Sequence, residues 1–415
     1  MRIKLQLILM NFLQFFVWGS WLITIGAYWF NYKEWSGESF GAIFSTMGIS
    51  SLFMPAIVGM IADKWINAEK LYGILHIFGA AVLFYIPRIE DPSTLFWVML
   101  LNMIFYMPTI ALSITISYSS LKKGGLNLTK VFPFIRVFGT LGFIIALWTI
   151  DLCGYDTSAN QFYVASIASL VLGIYSFSLP KCPPLNNVKE KSLMNILGLD
   201  SLLLFKTPKM AVFFVFSMLL GASLQLTNAY GDTFLHDFEK IEKFKQFFAV
   251  QHPTFIMSIS QFSELIFILF IPFFLKRFGI KKVMLISMFA WVFRFGLLAY
   301  GDPGDGLWMI ILSCIIYGMA FDFFNVSGSL FVETQSDPKI RAGVQGLFMM
   351  MVNGVGAIMG SVLSGIIISK YYILENGEKD WHGIWLVFSM YSLVVAVFFA
   401  LIFKHTHDPN LEVNH

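Results

Sequence analysis

Charge is what this sequence has least of. Of its 415 residues, 13% are Asp, Glu, Lys or Arg and 57% are hydrophobic. A soluble domain carries about 25% charge, so the composition excludes an ordinary soluble fold and indicates a polytopic membrane protein. The net charge of +3 is too small to point to nucleic acid. Cysteine is nearly as scarce. Cys153, Cys182 and Cys314 stand far apart with no CxxC spacing, which excludes a structural zinc site and a disulfide scaffold and leaves them as packing or loop residues. Neither HExxH nor GxSxG occurs, which argues against a membrane-embedded hydrolase. No sizeable soluble segment interrupts the apolar runs, which argues against a receptor or sensor.

What is abundant is long apolar sequence. After Arg2 and Lys4 the chain runs apolar to about Phe30, too long for a signal-peptide core, and is expected to be a retained first transmembrane helix. Further runs fall near 40–62, 70–87, 94–120, 133–152, 159–180, 209–231, 254–275, 282–301, 307–333, 341–370 and 383–404, about twelve in all with the first at 7–31. The longest break, 181–208, opens as KCPPLNNVKEK and continues as SLMNILGLDSLLLF, a polar linker followed by a candidate surface helix. Most of the 28 Lys and Arg fall in alternate loops, which predicts an even number of spans with both termini cytoplasmic. The expected organisation is all-α and integral to the membrane: a six-helix bundle over 1–180, the linker over 181–208, a second six-helix bundle over 209–404, and a cytoplasmic tail over 405–415. Six helices, a linker and six more is the organisation of the major facilitator superfamily. A weak repeat, GMIADKWINAEK against FFLKRFGIKKV, agrees with two bundles related by a pseudo-two-fold axis. Gly59, Asp63 and Lys64 form the GxxxDK loop motif of that superfamily, with Asp63 and Lys64 as candidate cytoplasmic gate residues.

A few polar residues sit inside the apolar runs, where a charge costs at least about 2.5–3.5 kcal/mol on insertion scales. Arg136, Glu264 and Asp322 are the clearest. Helical spacing groups them with other side chains: Arg136, Thr140 and Phe143 on the fifth span, Gln225 and Asn228 on the seventh, Gln261 and Glu264 on the eighth, and Tyr317, Phe321 and Asp322 on the tenth. Amide pairs, charges of both signs and aromatic faces suit a water-accessible cavity rather than lipid. One cation is too little for a nucleotide's phosphates. Paired amides suit a planar heterocycle with donors and acceptors, carboxylates grip vicinal hydroxyls, and aromatic faces stack on a ring. A nucleoside fits this inventory first and a sugar second. Sugar permeases call for more carboxylates and drug–proton antiporters for broad apolar cavities. Arg294 is expected to form a structural ion pair or to snorkel, His76 to be a satisfied core residue, and Gly356 and Gly360 to mark close helix packing. Asp232 and Glu333 lie near span ends and are given no main role.

The blocks FMPAIVGMIADKW, FPFIRVFGTLGFI, FSMLLGASLQLTNAYGDTFL, IMSISQFSELIFILFIPFFLKRFGIKKVM and YGMAFDFFNVSGSLFVE resemble the nucleoside:proton symporter family of the major facilitator superfamily, the bacterial nucleoside permeases. The resemblance implies proton-driven uptake of purine and pyrimidine nucleosides by alternating access. It implies a monomeric, multi-pass protein of the bacterial inner membrane with no cofactor beyond the coupling proton. It carries substrate binding onto Arg136, Thr140, Phe143, Gln225, Asn228, Gln261, Glu264, Tyr317 and Phe321. Proton coupling falls on Asp322, with a contribution from Glu264.

Overall fold

The computed structural model describes residues 2–184, 204–336 and 341–405. The candidate surface helix of the linker and nearly all of the C-terminal tail lie outside these residues. The described chain is a succession of helices: α1 Arg2–Gly19, α2 Phe40–Lys64, α3 Ala68–Tyr85, α4 Pro92–Lys123, α5 Leu128–Leu152, α6 Asn160–Ser176 and α7 Pro208–Asp237. A helical stretch, Pro253–Tyr300, is broken at Gly279 into α8 (253–278) and α9 (280–300). Then follow α10 Leu307–Gln335, α11 (341–371, with a π-helical segment Met350–Gly356) and α12 Trp381–Ile402. Among the described residues nine helices are long and apolar enough to cross a membrane. The longest of the nine holds two helices broken at Gly279, and α1 and α6, at 18 and 17 residues, are not among the nine. The protein is therefore a multi-pass membrane protein with the major facilitator fold.

Local chemistry sets the boundaries. Gly279 has φ 75° and ψ 168°, a backbone region closed to side chains with a Cβ, so the KRFGIKK turn reverses the chain there. Prolines open α4 and α7 at their first positions, where the missing N–H would have had no helical partner. Asp91 caps α4, accepting from the Thr94 amide at 2.9 Å and the Ser93 hydroxyl at 2.7 Å. Thr94, through hydroxyl and amide, and then Ser93 hold its carboxyl down at about 2.

The helices fall into two compact units, Met1–Trp35 with Ile49–Leu197 and Ser36–Gly48 with Gly198–His415. In the first, Leu7, Met10, Leu71, Tyr72, Ile116 and Leu172 form an apolar core. A polar cluster is threaded through the same unit. Gln14 Nε2 donates to Thr109 at 2.9 Å, the Tyr72 hydroxyl donates to Gln14 Oε1 at 2.5 Å, and Tyr106 donates to the Gln14 carbonyl at 2.7 Å. His76 meets Gln14 Oε1 at 2.9 Å and Ser169 at 3.1 Å, so both ring nitrogens are partnered, as expected of a satisfied core histidine. Helix α1 lies against α5 at backbone distance, because a Cβ on Gly142 would run into the Phe12 backbone. Gly142→Ala is therefore expected to cost about 1–3 kcal/mol. Its detergent-solubilised melting temperature should fall by a few degrees, whereas Gly346→Ala, with no heavy atom within 4 Å of the new methyl, should not lower it.

In the second unit, Phe213, Phe324, Phe331 and Phe348 form an aromatic core. Helix α11 packs on α7 through Gly221, Gly356 and Gly360; a Cβ on Gly360 would lie 2.5 Å from the Ala222 Cα. The expected glycine packing is present, and it brings the helix bearing Gln225 and Asn228 close to its neighbour. Asp237 fixes the far end of α7, accepting from Lys379 at 2.9 Å and the Trp381 indole at 3.0 Å.

Candidate functional site

In the first unit, α5 carries Arg136, Thr140 and Phe143 at successive turns. Arg136 is half-buried, with its Cζ 4.1 Å from the Phe15 ring centroid. Gly139 makes this possible: a Cβ there would stand 2.7 Å from both Arg136 Nη1 and the Phe15 ring. Phe15 leads to Trp18 at 6.1 Å and Trp18 to Tyr106 at 5.6 Å, so the guanidinium rests at one end of an aromatic row from α1 and α4. A cation over a desolvated ring is stabilised by up to about 2 kcal/mol. Thr140 is half-buried, and Phe143 is 9% exposed with its backbone against Gly19. Asp63 is exposed and Lys64 half-buried at the end of α2.

In the second unit, α7, α8 and α10 carry the remaining candidates. Tyr317 and Phe321 stack with centroids 5.8 Å apart and planes 4° from parallel. Trp291 of α9 meets Tyr317 edge-on at 6.0 Å. Ser263, the neighbour of Glu264, pins α8 to α10: its hydroxyl donates to the Ile315 carbonyl and accepts from the Gly318 amide at 3.2 Å. Ser287 of α9 does the same for the Ala320 carbonyl. These clamps fix α8, the helix of Glu264, and α9 against α10, the helix of Tyr317 and Asp322. Asp322 is 5% exposed, and Glu264 and Phe321 are half-buried. A narrow cleft bounded by Leu224, Trp291, Phe321 and Asn325 opens beside the stacked rings.

The amides of this unit stand out. Gln225 is buried, yet its Oε1 accepts no hydrogen bond among the described residues, and neither does Gln261 Oε1. Leaving a buried acceptor unsatisfied costs about 1–3 kcal/mol. Core amides are normally partnered, as Gln14 is; Gln225 and Gln261 each keep an acceptor that no described residue uses.

Arg294 departs from expectation. It neither snorkels nor makes an ion pair among the described residues. It is 1% exposed, and its partners are a carbonyl, two hydroxyls and the Tyr317 ring. Sequence reasoning also passed over Phe15, Trp18, Trp291 and Ser263. The i, i+3 spacing of Trp291 and Arg294 was the available signal; Phe15 was hidden among 45 phenylalanines.

The second unit offers stacking faces, amide acceptors and two acids on its helices, and the first a guanidinium on an aromatic floor. They contain no cluster of metal-ligating side chains among the described residues.

The family model described as "Nucleoside H+ symporter" matches residues 1–408. The chain is 52% identical over 410 residues to Xanthosine permease of Escherichia coli (strain K12), covering 99% of this chain and 98% of that one. It is 48% identical over 408 residues to Nucleoside permease NupG of the same organism, covering 98% and 97%. A crystal structure of nucleoside transporter NupG in a mutant form superposes with a TM-score of 0.94, covering 97% of this chain and all of that one at 48% identity. Fold and relatives converge, and the chain belongs to the nucleoside H+ symporter family, a family of transporters and not of enzymes.

Proposed function

We propose that the protein takes up purine and pyrimidine nucleosides together with protons by alternating access, as a monomer of the bacterial inner membrane with both termini cytoplasmic. The observation that supports this best is the pair of buried amide oxygens, Gln225 and Gln261, without donors among the described residues, in the same unit as the parallel Tyr317–Phe321 rings. Gln225 and Asn228 read the heterocycle's edge, since amides both donate and accept. Phe143, Tyr317 and Phe321 give it stacking faces. Arg136, Thr140, Gln261 and Glu264 hold the ribose hydroxyls. Asp322 carries the proton, with Glu264 contributing to coupling as well as binding. A protonated acid is neutral and crosses the occluded state cheaply, whereas a bare carboxylate does not. Asp63 and Lys64 latch the cytoplasmic side.

Radiolabelled uridine and adenosine uptake into proteoliposomes tests the reading. Both nucleosides should accumulate under an imposed inward proton gradient, unlabelled nucleosides should compete, and excess glucose should not. Uptake indifferent to the gradient, or suppressed by glucose, would reject it.

A further inference from the structure

Arg294 lies in the middle of α9, where a buried cation needs a reason. A guanidinium taken out of water loses several kcal/mol of solvation, and a Leu or Met at the same place would pack without that loss. Its contacts supply the reason. Nη1 donates to the Ser313 carbonyl of α10 at 2.7 Å and reaches Ser260 Oγ of α8 at 3.5 Å. Nε donates to Thr227 Oγ1 of α7 at 3.3 Å. The Ser313 hydroxyl returns a bond to the Arg294 carbonyl at 3.1 Å, and the Arg294 Cζ stands 4.7 Å from the Tyr317 ring centroid. Three of the four partners adjoin or are residues assigned above to the substrate: Thr227 precedes Asn228, Ser260 precedes Gln261, and Tyr317 is itself a stacking face.

We propose that Arg294 is a positioning residue of the nucleoside site, a single rigid fork that sets α7, α8 and α10 in register and holds the Tyr317 ring from behind. The proposal rests on the substrate-site reading given above. Arginine suits the task because its planar donors reach several acceptors at once while its face lies on a ring; lysine offers one point charge. The partners given above are hydroxyls, a carbonyl and a π-face, so the fork orders the helices through neutral groups.

Initial rates of uridine uptake into proteoliposomes, at a fixed proton gradient and normalised to folded carrier, test it. Arg294→Gln should raise KM about tenfold with the maximal rate within roughly twofold of wild type, because misplaced contacts weaken binding. Thr227→Val, which removes one prong's acceptor, should raise KM several-fold, and in the Arg294→Gln background it should add nothing further. An unchanged KM with a depressed maximal rate, or two effects that multiply independently, would overturn the proposal. Should Arg294→Gln fail to fold, Thr227→Val and Ser260→Ala, which retain the cation, decide it: a raised KM supports the fork and a wild-type KM rejects it. Gln225→Ala run alongside separates the two readings. A normal KM there removes the substrate-site reading, whereas a raised KM there with a normal one for Arg294→Gln removes only the fork.

Discussion

Asp322→Asn should abolish uphill nucleoside accumulation while leaving nucleoside binding within a few-fold of wild type. Asp322 lies on α10 one residue beyond the Tyr317–Phe321 stack and is almost wholly withdrawn from solvent. An acid in such a place alternates between a costly charged form and a cheap neutral one, and on the proposed reading loading a proton decides whether the carrier can reorient. Moving one charge through ~150 mV releases about 3.5 kcal/mol. At 1.4 kcal/mol per decade, that sustains on the order of a few hundredfold accumulation of a neutral solute. Asn keeps the shape but is permanently neutral, so the variant should equilibrate nucleosides and concentrate none. The measured ratio of internal to external uridine under an imposed gradient should fall from a few hundred to about one. Retention of a large, pH-dependent ratio would remove Asp322 from the coupling step.

The second large effect concerns the amides. Gln225→Leu and Gln261→Leu each remove an acceptor that the fold leaves unused, so the nucleoside-free carrier should melt at a higher temperature than wild type by a few degrees. The same substitutions should weaken nucleoside binding about tenfold each, since a ligand donor then loses its partner. Thermal-shift titrations read both at once. At a nucleoside concentration of about 100 times the wild-type Kd, ligand stabilisation is roughly 2.7 kcal/mol, and a tenfold weaker site retains about half of it. A structural amide would show the opposite pattern: a lower melting temperature without ligand and an unchanged ligand-induced shift.

Much of this was legible in the sequence because helical spacing is a strict geometric constraint. Tyr317 and Phe321, four apart, stack because one turn separates them, and apolar run lengths marked most of the long helices, although the run near 7–31 breaks after Gly19 and resumes only as the short segments Ile25–Ala27 and Tyr28–Tyr32. What resisted reading depends on distant partners. Arg294 looked like half of an ion pair because carboxylates are the expected counter-ions. Its actual partners, Thr227, Ser260 and Ser313, lie on three other helices and are individually unremarkable serines and threonines. The aromatic floor beneath Arg136 was equally hidden, since nothing marks Phe15 until Gly139 is seen to make room for it. The unused acceptors of Gln225 and Gln261 are properties of packing that no spacing rule reveals.

The most direct test of coupling through the α10 acid is proton movement itself. In lightly buffered proteoliposomes without an imposed gradient, adding uridine to wild-type carrier should raise the external pH as protons enter with the nucleoside. The Asp322→Asn carrier should bind and equilibrate uridine with no such pH change. An undiminished uridine-driven alkalinisation in that variant would contradict the account.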